Sequence, residues 1–311
     1  MHEVIIIGSG PAGLTAAIYA GRANLNPLLL SGLERGGQVT LTSDLENFPG
    51  FPEGLGGFEM YQLFESQAKK FGTEIVFDLA TKVNLKEDPK IVKTQNNEYH
   101  TKSVIIATGS NPKKLNIPGE KEFIGKGVSY CATCDGFFFT DKHVVVVGGG
   151  NSALDEGIFL TRHAAKVTII HRRDRLRADA ILQERALENK KIEFIWDTVV
   201  EEIMGDQAVE KLKLKNTKSG EISHLDIDGV FIFIGHNPNV DLFRGQIELD
   251  ENDNIITDRR TRTNIPGVYA CGDVQDSIYR QAITAAGSGC QSGMEAERYI
   301  AEIEGKAYPG K

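Results

Sequence analysis

A glycine-rich pattern that occurs twice constrains the fold of this 311-residue chain more than any other feature. Residues 4–13 read VIIIGSGPAG and residues 144–153 read VVVVGGGNSA, and a helical pattern follows each. An apolar strand, a Gly-x-Gly-x-x-Gly/Ala turn and a helix together form a dinucleotide-binding fingerprint. Its first glycine makes the turn, its second admits a pyrophosphate, and its third lets helix and strand pack closely. Two copies in this context predict two Rossmann-like nucleotide-binding domains.

Two downstream segments repeat as well. Residues 103–112 (SVIIATGSNP) and 229–238 (GVFIFIGHNP) each read as a buried strand that ends in Gly-x-Asn-Pro. Residues 267–274 (GVYACGDV) then predict a short strand that runs into Gly-Asp, and a long helix follows. Each repeated segment lies downstream of its own fingerprint, so the simplest arrangement inserts the second nucleotide domain into the first.

This arrangement sets the predicted domain boundaries. One domain comprises residues 1–112 and 242–311, and the inserted domain comprises residues 113–241. The connections are expected near Pro112–Pro118 and Pro238–Arg244, which are rich in Pro, Asn and Gly. The predicted fold class is α/β, with two Rossmann-like domains of the three-layer ββα type.

The end of the second strand decides which nucleotide such a domain binds, since an acidic residue suits a free ribose hydroxyl and arginine suits a 2′-phosphate. In the second unit KVTII (166–170) runs directly into HRRDRLRA (171–178), in a protein of formal net charge −8. Planar guanidinium groups grip phosphate bidentately. The sequence therefore predicts an NADPH site with Arg172, Arg173 and Arg177 around the 2′-phosphate, and a solvated basic helix start is the alternative.

The first unit has no arginine at this place. PLLLSG (27–32) ends in Ser31, and Glu34 follows three residues later. Glu34 is a candidate ribose ligand that lies late, so backbone contacts around Gly36–Gln38 are the alternative. FAD suits this unit, because flavoproteins of this type contact the cofactor again through a late Gly-Asp, in which Asp273 bonds a ribityl hydroxyl. The plain alternative for Gly272-Asp273 is a turn with a helix cap.

Charge and hydropathy limit the partners and the compartment. The net charge of −8 disfavours nucleic acid or an anionic membrane as a main partner. The sequence has no run of about 18 apolar residues, and its first residues, MHEVIIIGSG, lack the basic n-region of a signal peptide. We therefore expect a cytoplasmic chain without a membrane partner, a setting in which a CxxC pair is more often catalytic or metal-binding than structural.

The segment SYCATCDGFFF (129–139) carries such a pair, Cys131 and Cys134. Zinc would need four Cys or His ligands, usually as two close pairs, whereas Cys271 and Cys290 lie in different predicted elements. A redox dithiol remains, because a CxxC at a helix start has a lowered thiol pKa and the thiolate attacks disulfides. Asp135 is then a candidate to move the proton. No metal is predicted, Phe137–Phe139 are expected in the core, and the other two cysteines are expected to be small buried residues.

The combination of these motifs resembles one family closely. GSGPAG, ERGGQ, ENFPG, ATG, CATCDGFFF, GGGNSA, HRRDxxRA and GDVxDxxYRQAITAAGSGC are similar to the motifs of the low-molecular-weight thioredoxin reductases. The resemblance covers essentially the whole chain. It implies a homodimer that uses FAD and NADPH to reduce the disulfide of thioredoxin, with the inserted domain rotating about its two connections between steps.

The resemblance also implies roles for individual residues. Cys134 takes electrons from the flavin, Cys131 is the thiol that attacks thioredoxin, and Asp135 is the acid/base. The implied FAD-binding residues are Gly8, Ser9, Gly10, Pro11, Ala12, Gly13, Ser31, Glu34, Gly36, Gly37, Gln38, Asn47, Ala107, Thr108, Gly109, Gly272, Asp273, Arg280, Gln281 and Ala282. The implied NADPH-binding residues are Gly148, Gly150, Asn151, Ser152, Ala153, His171, Arg172, Arg173, Arg177, Ile234 and Gly235.

Three other functions share parts of this pattern. A related ferredoxin–NADP reductase keeps both nucleotide sites but lacks the CxxC. A dithiol oxidase on the same scaffold keeps the CxxC, and the arginine cluster argues against it. A nucleotide-binding redox sensor without catalysis is the alternative from a different class, and the presence of both cysteines argues against it.

Overall fold

The computed structural model describes residues 1–41, 45 and 47–306 and divides into two compact units. The first unit comprises Met1–Asn111 and Asn237–Lys311, and the second unit comprises Pro112–His236. The chain therefore leaves the first unit once, builds the second unit, and returns. No helix in the described part of the chain is both long and apolar enough to cross a lipid bilayer.

The described residues form seventeen strands and six α-helices. The strands are β1 (His2–Ile7), β2 (Leu28–Leu30), β3 (Glu74–Val76), β4 (Lys82–Asn84), β5 (Lys90–Lys93), β6 (Glu98–Ile106), β7 (Ser110–Pro112), β8 (Val128–Ser129), β9 (His143–Val147), β10 (Lys166–Ile170), β11 (Ile192–Ile195), β12 (Thr198–Gly205), β13 (Val209–Asn216), β14 (Ile222–Asp226), β15 (Gly229–Ile232), β16 (His236–Pro238) and β17 (Val268–Ala270). The helices are α1 (Pro11–Arg22), α2 (Gly57–Lys70), α3 (Ala132–Asp135), α4 (Asn151–Leu160), α5 (Ala180–Glu188) and α6 (Ala282–Ile303).

The first unit is built on a seven-stranded sheet with the order β3-β2-β1-β6-β5-β4, in which β17 also pairs with β6. Strands β1, β2, β3, β6 and β17 are parallel to one another. Strand β5 is antiparallel to both of its neighbours, β6 and β4. Strand β1 is apolar without alternation because both faces of a parallel sheet are covered. Its Val4 and Ile6 pack with helices α1 and α6, and its Ile5 and Ile7 pack with Val83 on the opposite face.

Helix α6 lies against α1 through small residues and is held by a buried carboxylate. A Cβ on Gly289 would lie 2.1 Å from the carbonyl oxygen of Ala12, so only glycine permits this approach. Glu295 is buried on α6, and its carboxylate accepts hydrogen bonds from Arg260 at 2.9 Å and from Arg262 at 2.8 Å and 3.0 Å. The close approach at Gly289 sets the position of α6 against Ala12 of the first fingerprint. The bonds of Glu295 hold the same helix to Arg260 and Arg262.

The second unit has three layers. Its central sheet is parallel, with the order β11-β10-β9-β15-β8. Val144 and Val146 of β9 pack against helices α4 and α5 on one face. Val145 and Val147 pack on the other face against the antiparallel sheet β12-β13-β14. Strands β7 and β16, where the chain crosses between the units, pair as a separate two-stranded sheet.

The predicted α/β class with parallel nucleotide-binding sheets is confirmed, and β10 spans the predicted residues 166–170. Two expectations about burial are wrong. Phe137 and Phe138 are 58% and 40% exposed, and only Phe139 packs in the core, against Phe231. Cys290 is only partly buried on α6, whereas Cys271 is fully buried. A run of three aromatic residues on a short turn cannot direct all its side chains inward, which accounts for the exposed pair.

Candidate functional site

The first glycine turn has the shape of a phosphate cradle. Gly8 has a φ of +115°, and a Cβ there would lie 2.2 Å from the carbonyl oxygen of Ala107. A Cβ on Gly13 would lie 1.9 Å from the carbonyl oxygen of Gly8, so the first and third glycines are required by close packing. A Cβ on Gly10 would meet its nearest atom at 3.8 Å. The second glycine therefore borders open space at the N-terminus of α1, where backbone N–H groups favour an anion.

The second glycine turn repeats this geometry. Gly148 has a φ of +155°, and a Cβ there would lie 2.4 Å from the carbonyl oxygen of Phe233 and 2.6 Å from the Cβ of Ala153. A Cβ on Gly150 would meet no atom within 4 Å. Gly150 is the N-cap of α4 and supplies no side-chain cap, so no side chain caps the amides of the first helical turn next to this open position. Both turns therefore fit a pyrophosphate at the second glycine.

The arginine segment folds back onto the second glycine turn. The backbone N–H of Arg177 donates to the carbonyl oxygen of Gly149 at 2.7 Å. Arg172, Arg173 and Arg177 are all exposed, and the segment is not helical, since α5 begins at Ala180. The segment is therefore not a helix start, although its arginines are solvent-exposed as that alternative also expected. The guanidinium groups remain accessible next to the turn that they were predicted to serve.

His171 begins this segment and is buried against the turn. A Cβ on Gly149 would lie 2.3 Å from the Nδ1 atom of His171, so the imidazole occupies the space beside the glycines. Burial lowers the pKa of His171, and the positive charge of Arg177 lowers it further. The ring is therefore neutral at neutral pH. Its buried Nε2 atom has no hydrogen-bond partner among the described residues.

Other predicted NADPH-binding residues lie around the same turn. Asn151, at the start of α4, accepts a hydrogen bond from the backbone N–H of Asp179 and donates to its carboxylate, both at 2.8 Å. Ser152 follows it in the first turn of α4. Ile234 and Gly235 follow the end of β15, next to Phe233, whose carbonyl contacts the Gly148 turn.

Residues of the first unit that lie far apart in sequence meet beside the first glycine turn. The hydroxyl of Ser9 donates to the carbonyl oxygen of Ser31 at 3.0 Å and accepts the backbone N–H of Gly36 at 3.0 Å. The side chain of Gln38 donates to Asn111 at 2.8 Å. Glu34 is exposed, whereas the backbone N–H of Gly36 bonds to Ser9 in the turn. The segment 36–38 therefore contacts the turn through its backbone. Residues Ala107, Thr108 and Gly109 follow β6, the neighbour of β1.

The Gly-Asp turn at Gly272 also packs beside the first fingerprint. A Cβ on Gly272 would lie 2.9 Å from the Cβ of Ala12. Burial raises the pKa of Asp273 to about 6, and the neighbouring Asp276 raises it as well. A carboxyl group held this way can accept or donate a hydrogen bond to a ligand hydroxyl near neutral pH. Asp273 is not the cap of the following helix, because the N-cap of α6 is Gln281.

The start of α6 gathers the remaining predicted residues. The side-chain amide of Asn47 donates to Gln281 at 3.3 Å, and Gln281 and Thr284 cap the helix reciprocally. The guanidinium of Arg280 donates to the carbonyl oxygen of Ser277 at 2.6 Å, and Ala282 is the first helical residue.

The cysteine pair forms a disulfide in the second unit. Cys131 and Cys134 are bonded, with their Cα atoms 5.3 Å apart. Cys131 is the N-cap of α3, and the backbone N–H of Cys134 donates to its sulfur at 3.2 Å. An N–H donor stabilises a thiolate relative to a thiol. The hydrogen bond therefore places an N–H donor on the sulfur of Cys131, the cysteine that the resemblance assigns to the attack on thioredoxin.

A partly buried carboxyl lies beside the pair. Burial raises the pKa of Asp135, and a hydrogen bond from the hydroxyl of Ser129, at 2.6 Å, opposes this increase. The same hydroxyl accepts the backbone N–H of Cys131 at 3.1 Å. A raised pKa suits a group that gives and takes protons near neutral pH. Burial by contrast raises the pKa of the Cys271 thiol to about 12, so that thiol stays protonated.

Two residues near the pair were missed by the sequence analysis. One is Ser129, whose hydroxyl connects Cys131 with Asp135. The other is Glu120, which is 3% exposed; its carboxylate accepts hydrogen bonds from the phenol of Tyr130 at 2.8 Å and from the backbone N–H groups of Leu115 and Asn116 at 2.9 Å and 2.6 Å. The only sequence signal was position, since Ser129 and Tyr130 immediately precede Cys131.

The predicted residues divide cleanly between the units. All predicted FAD-binding residues lie in the first unit, and all predicted NADPH-binding residues and the cysteine pair lie in the second. Within the described residues, no group of three His, Cys, Asp or Glu side chains is placed to hold a metal ion.

Comparisons with known proteins identify the family of the chain. The family described as pyridine nucleotide-disulphide oxidoreductase matches residues 2–289. Thioredoxin reductase of Rickettsia conorii is 54% identical over 303 residues, which cover 96% of this chain and 98% of that protein. Thioredoxin reductase of Streptomyces coelicolor is 48% identical over 316 residues, which cover 100% of this chain and 98% of that protein.

A solved structure gives the same result for the fold. The crystal structure of thioredoxin reductase from Streptococcus pyogenes superposes with a TM-score of 0.92 at 43% identity, and the match covers 97% of this chain and 99% of that chain. Family match, relatives and structure all extend over nearly the full length. The chain, with its two glycine turns and its cysteine pair, belongs to the pyridine nucleotide-disulphide oxidoreductase family of enzymes.

Proposed function

We propose that this chain is an NADPH-dependent thioredoxin-disulfide reductase, which passes electrons from NADPH through FAD to the Cys131–Cys134 disulfide and on to oxidised thioredoxin. The observation that carries the proposal is the disulfide with the partly buried Asp135 carboxyl beside it. Relatives that match over nearly the whole chain are thioredoxin reductases, which supports the same reaction.

In this proposal the first unit binds FAD and the second binds NADPH. The open position at Gly10 fits the pyrophosphate of FAD, and Asp273, partly buried beside the same turn, is a partner for a ribityl hydroxyl. Bound FAD supplies the two-electron step between the nicotinamide and the disulfide. The predicted domains, 1–112 with 242–311 and 113–241, belong to this assignment, whereas the two compact units divide between Asn111 and Pro112 and between His236 and Asn237.

The second unit holds NADPH through three sets of groups. The amides at Gly150 and the first turn of α4 bind the pyrophosphate. The guanidinium groups of Arg172, Arg173 and Arg177 bind the 2′-phosphate through charge-assisted hydrogen bonds, which are stronger than hydrogen bonds between neutral groups. Neutral His171 fills the space under the turn and adds no charge to the site.

The two cysteines act in sequence once the disulfide has received two electrons and two protons. The Cys131 thiolate attacks one sulfur of the thioredoxin disulfide, which forms a mixed disulfide and releases a thioredoxin thiolate that takes a proton. The Cys134 thiolate then attacks Cys131, which re-forms the disulfide and releases the second thioredoxin sulfur. Asp135 gives up and recovers protons beside the pair during these steps.

The resemblance extends the proposal to the assembly and the compartment. We infer a homodimer in the cytoplasm that meets thioredoxin transiently, binds no nucleic acid and has no membrane partner. Rotation of the second unit about its two connections between steps belongs to the same proposal, because one cysteine pair must serve both the flavin and a protein substrate.

Anaerobic absorption spectroscopy tests the complete electron path. The purified protein should carry about one FAD per chain, and NADPH should bleach the flavin bands in the absence of oxygen. Oxidised thioredoxin added next should restore the bands. A colourless protein that gains no flavin absorbance with added FAD, or a reduced flavin that thioredoxin does not reoxidise, would contradict the proposal.

Single cysteine variants test the two roles. Cys134→Ser should trap thioredoxin as a stable mixed disulfide, because Cys131 attacks and no thiol resolves the product. Cys131→Ser should trap none, and both variants should lose thioredoxin turnover while NADPH still bleaches their flavin. Trapping by Cys131→Ser instead would exchange the two roles, and full turnover by either variant would exclude the dithiol mechanism.

A further inference from the structure

The hydroxyl of Ser129 occupies a central position in the redox segment. Ser129 is 5% exposed at the end of β8, which pairs with Phe231 and its neighbour on β15. Its Oγ atom lies 2.6 Å from Oδ2 of Asp135 and 3.1 Å from the backbone nitrogen of Cys131. A single side chain therefore contacts both the candidate proton carrier and the candidate attacking cysteine.

The chemistry of a hydroxyl fixes the direction of these two hydrogen bonds. The backbone N–H of Cys131 can only donate, so Ser129 accepts there. Its one proton has two acceptors within reach, Oδ2 of Asp135 at 2.6 Å and the carbonyl oxygen of Cys131 at 3.2 Å, and the shorter distance is the one expected of a hydroxyl that donates to a carboxylate. The Oδ2 atom of Asp135 is thereby engaged, and the Oδ1 atom is left to take or give a proton.

We propose that Ser129 is a positioning residue for the dithiol chemistry, whose hydroxyl holds the Asp135 carboxylate and the Cys131 backbone in one fixed arrangement. The proposal deepens the proposed function, because it rests on Asp135 exchanging protons with the cysteine pair. It assigns to this serine the stabilisation of the ionised form of Asp135 and the choice of the oxygen that exchanges the proton.

The backbone around Ser129 is held from the opposite side as well. The next residue, Tyr130, donates its phenol to Glu120 at 2.8 Å, and Glu120 is itself fixed by two backbone N–H groups. The side chains of Ser129 and Tyr130 therefore anchor one short segment in two directions. An anchored backbone keeps the hydroxyl of Ser129 within reach of Asp135 when the disulfide opens and closes.

The electrostatic surroundings of Asp135 leave Ser129 as its main polar partner. Burial raises the pKa of Asp135, and the hydroxyl of Ser129 lowers it. Helix α4 packs next to α3 and carries Asp155 and Glu156, and the turn after it carries His163, whose ring contacts Phe137. None of these three groups sets the direction of the Asp135 shift. Removing the hydroxyl should therefore raise the pKa of Asp135 further.

Infrared difference spectroscopy of the oxidised holoenzyme tests the proposal without turnover. The carboxyl C=O band that disappears in Asp135→Asn reports protonated Asp135, and its intensity against pH gives a midpoint. In Ser129→Ala this midpoint should rise by about one pH unit or more, the order expected when a carboxylate loses one charge-assisted hydrogen bond. The inflection that Asp135→Asn removes from the pH profile of thioredoxin reduction should move upward by the same amount.

An isosteric pair separates the hydroxyl from the shape of the side chain. Ser129→Thr and Ser129→Val add the same bulk, and both suit a strand, but only threonine keeps the hydroxyl. Ser129→Thr should retain the native midpoint, and Ser129→Val should show the raised midpoint of Ser129→Ala. An unchanged midpoint in Ser129→Ala and Ser129→Val would overturn the proposal. If the variants show the shift but the native chain does not reduce thioredoxin, the proposed function is wrong. The role of Ser129 in holding Asp135 would still stand.

Discussion

The two glycine turns are built alike, and the residues after the neighbouring strand distinguish them. In both turns, the first glycine has a positive φ and presses against a carbonyl, and the second borders open space. After β2 the first unit places Ser31, whose carbonyl binds Ser9, and an exposed Glu34. After β10 the second unit places buried His171 and three exposed arginines. In the proposed function, the turn therefore determines that a dinucleotide binds, and the end of the next strand determines which one.

This difference has a simple physical basis. A pyrophosphate needs only backbone N–H groups and a missing Cβ, so both units meet the requirement with the same residues. Discrimination between nucleotides needs side chains that match a local charge, and such side chains can change without affecting the turn. Three sets of variants sharpen or break the comparison.

The largest effect is expected when the open glycine of either turn is filled. Gly10→Val and Gly150→Val place a branched side chain where a Cβ would meet nothing closer than 3.8 Å and nothing within 4 Å, respectively. Each variant should fold, and loss of two charge-assisted hydrogen bonds of about 1.5–3 kcal/mol each should weaken binding at least ~100-fold. Gly10→Val should purify without flavin, and Gly150→Val should keep its flavin but resist bleaching by NADPH.

The matched control is Gly287→Val on helix α6. Gly287 is exposed, and a Cβ there also meets no atom within 4 Å. This variant should bind both nucleotides normally. Normal NADPH affinity in Gly150→Val, measured by titration, would show that the pyrophosphate does not lie at this turn.

A smaller effect is expected from the arginines of the second unit. The single variants Arg172→Gln and Arg173→Gln should each raise the KM for NADPH about 10- to 100-fold, because each loses one bond of about 1.5–3 kcal/mol to the 2′-phosphate. The KM for NADH should change little, since NADH lacks that phosphate. Arg175→Gln is the control from the same exposed segment, and equal losses for both nucleotides would show that the cluster does not discriminate.

The smallest effect concerns the residue that follows β10 in the second unit and β2 in the first unit, which is His171 and Ser31, respectively. The pKa of His171 is lowered in the folded protein, so the unfolded chain takes up the proton first as pH falls. The folded protein should therefore lose stability below about pH 6.5, by at most about 1.4 kcal/mol per pH unit from this group. His171→Gln should reduce that loss in urea unfolding followed from neutral to mildly acidic pH.

Exposed His224 on β14 provides the control for this measurement. His224→Gln should leave the pH dependence of unfolding as it is in the native chain. If His171→Gln and the native chain lost stability in parallel, burial of the imidazole under the Gly149 turn would not influence stability.

The sequence predicted those features that depend on short, regular patterns. Both fingerprints, β10 and the helix at Ala282 depend on local runs of residues with strong propensities, and all of them are present. The cysteine pair was identified as a redox pair by spacing, and the two sulfurs are bonded. The segment 171–178 is irregular and does not start a helix, because the backbone N–H of Arg177 bonds to the carbonyl oxygen of Gly149. No local sequence pattern indicates this contact.

Side-chain partners across turns could not be predicted in this way. The hydrogen bonds of Ser129 and Glu120 depend on how the chain bends around α3, and burial of those polar groups is visible only once the layers are assembled. The exposure of Phe137 and Phe138 has the same origin, because composition favours burial and the geometry of the short 3₁₀ turn decides otherwise.

The contacts of Glu120 bear on the order in which the second unit folds. Its partners Leu115, Asn116 and Tyr130 lie 5, 4 and 10 residues away, and Ser129 lies 6 residues from Asp135. By contrast, β8 joins the central sheet only by pairing with β15, at Val230. Contacts between near neighbours close small loops and form early, whereas distant strand pairs form late. The local contacts of the redox segment can therefore form once the first part of the chain and this segment have been made, before the later strand β15 that anchors β8 has been synthesised.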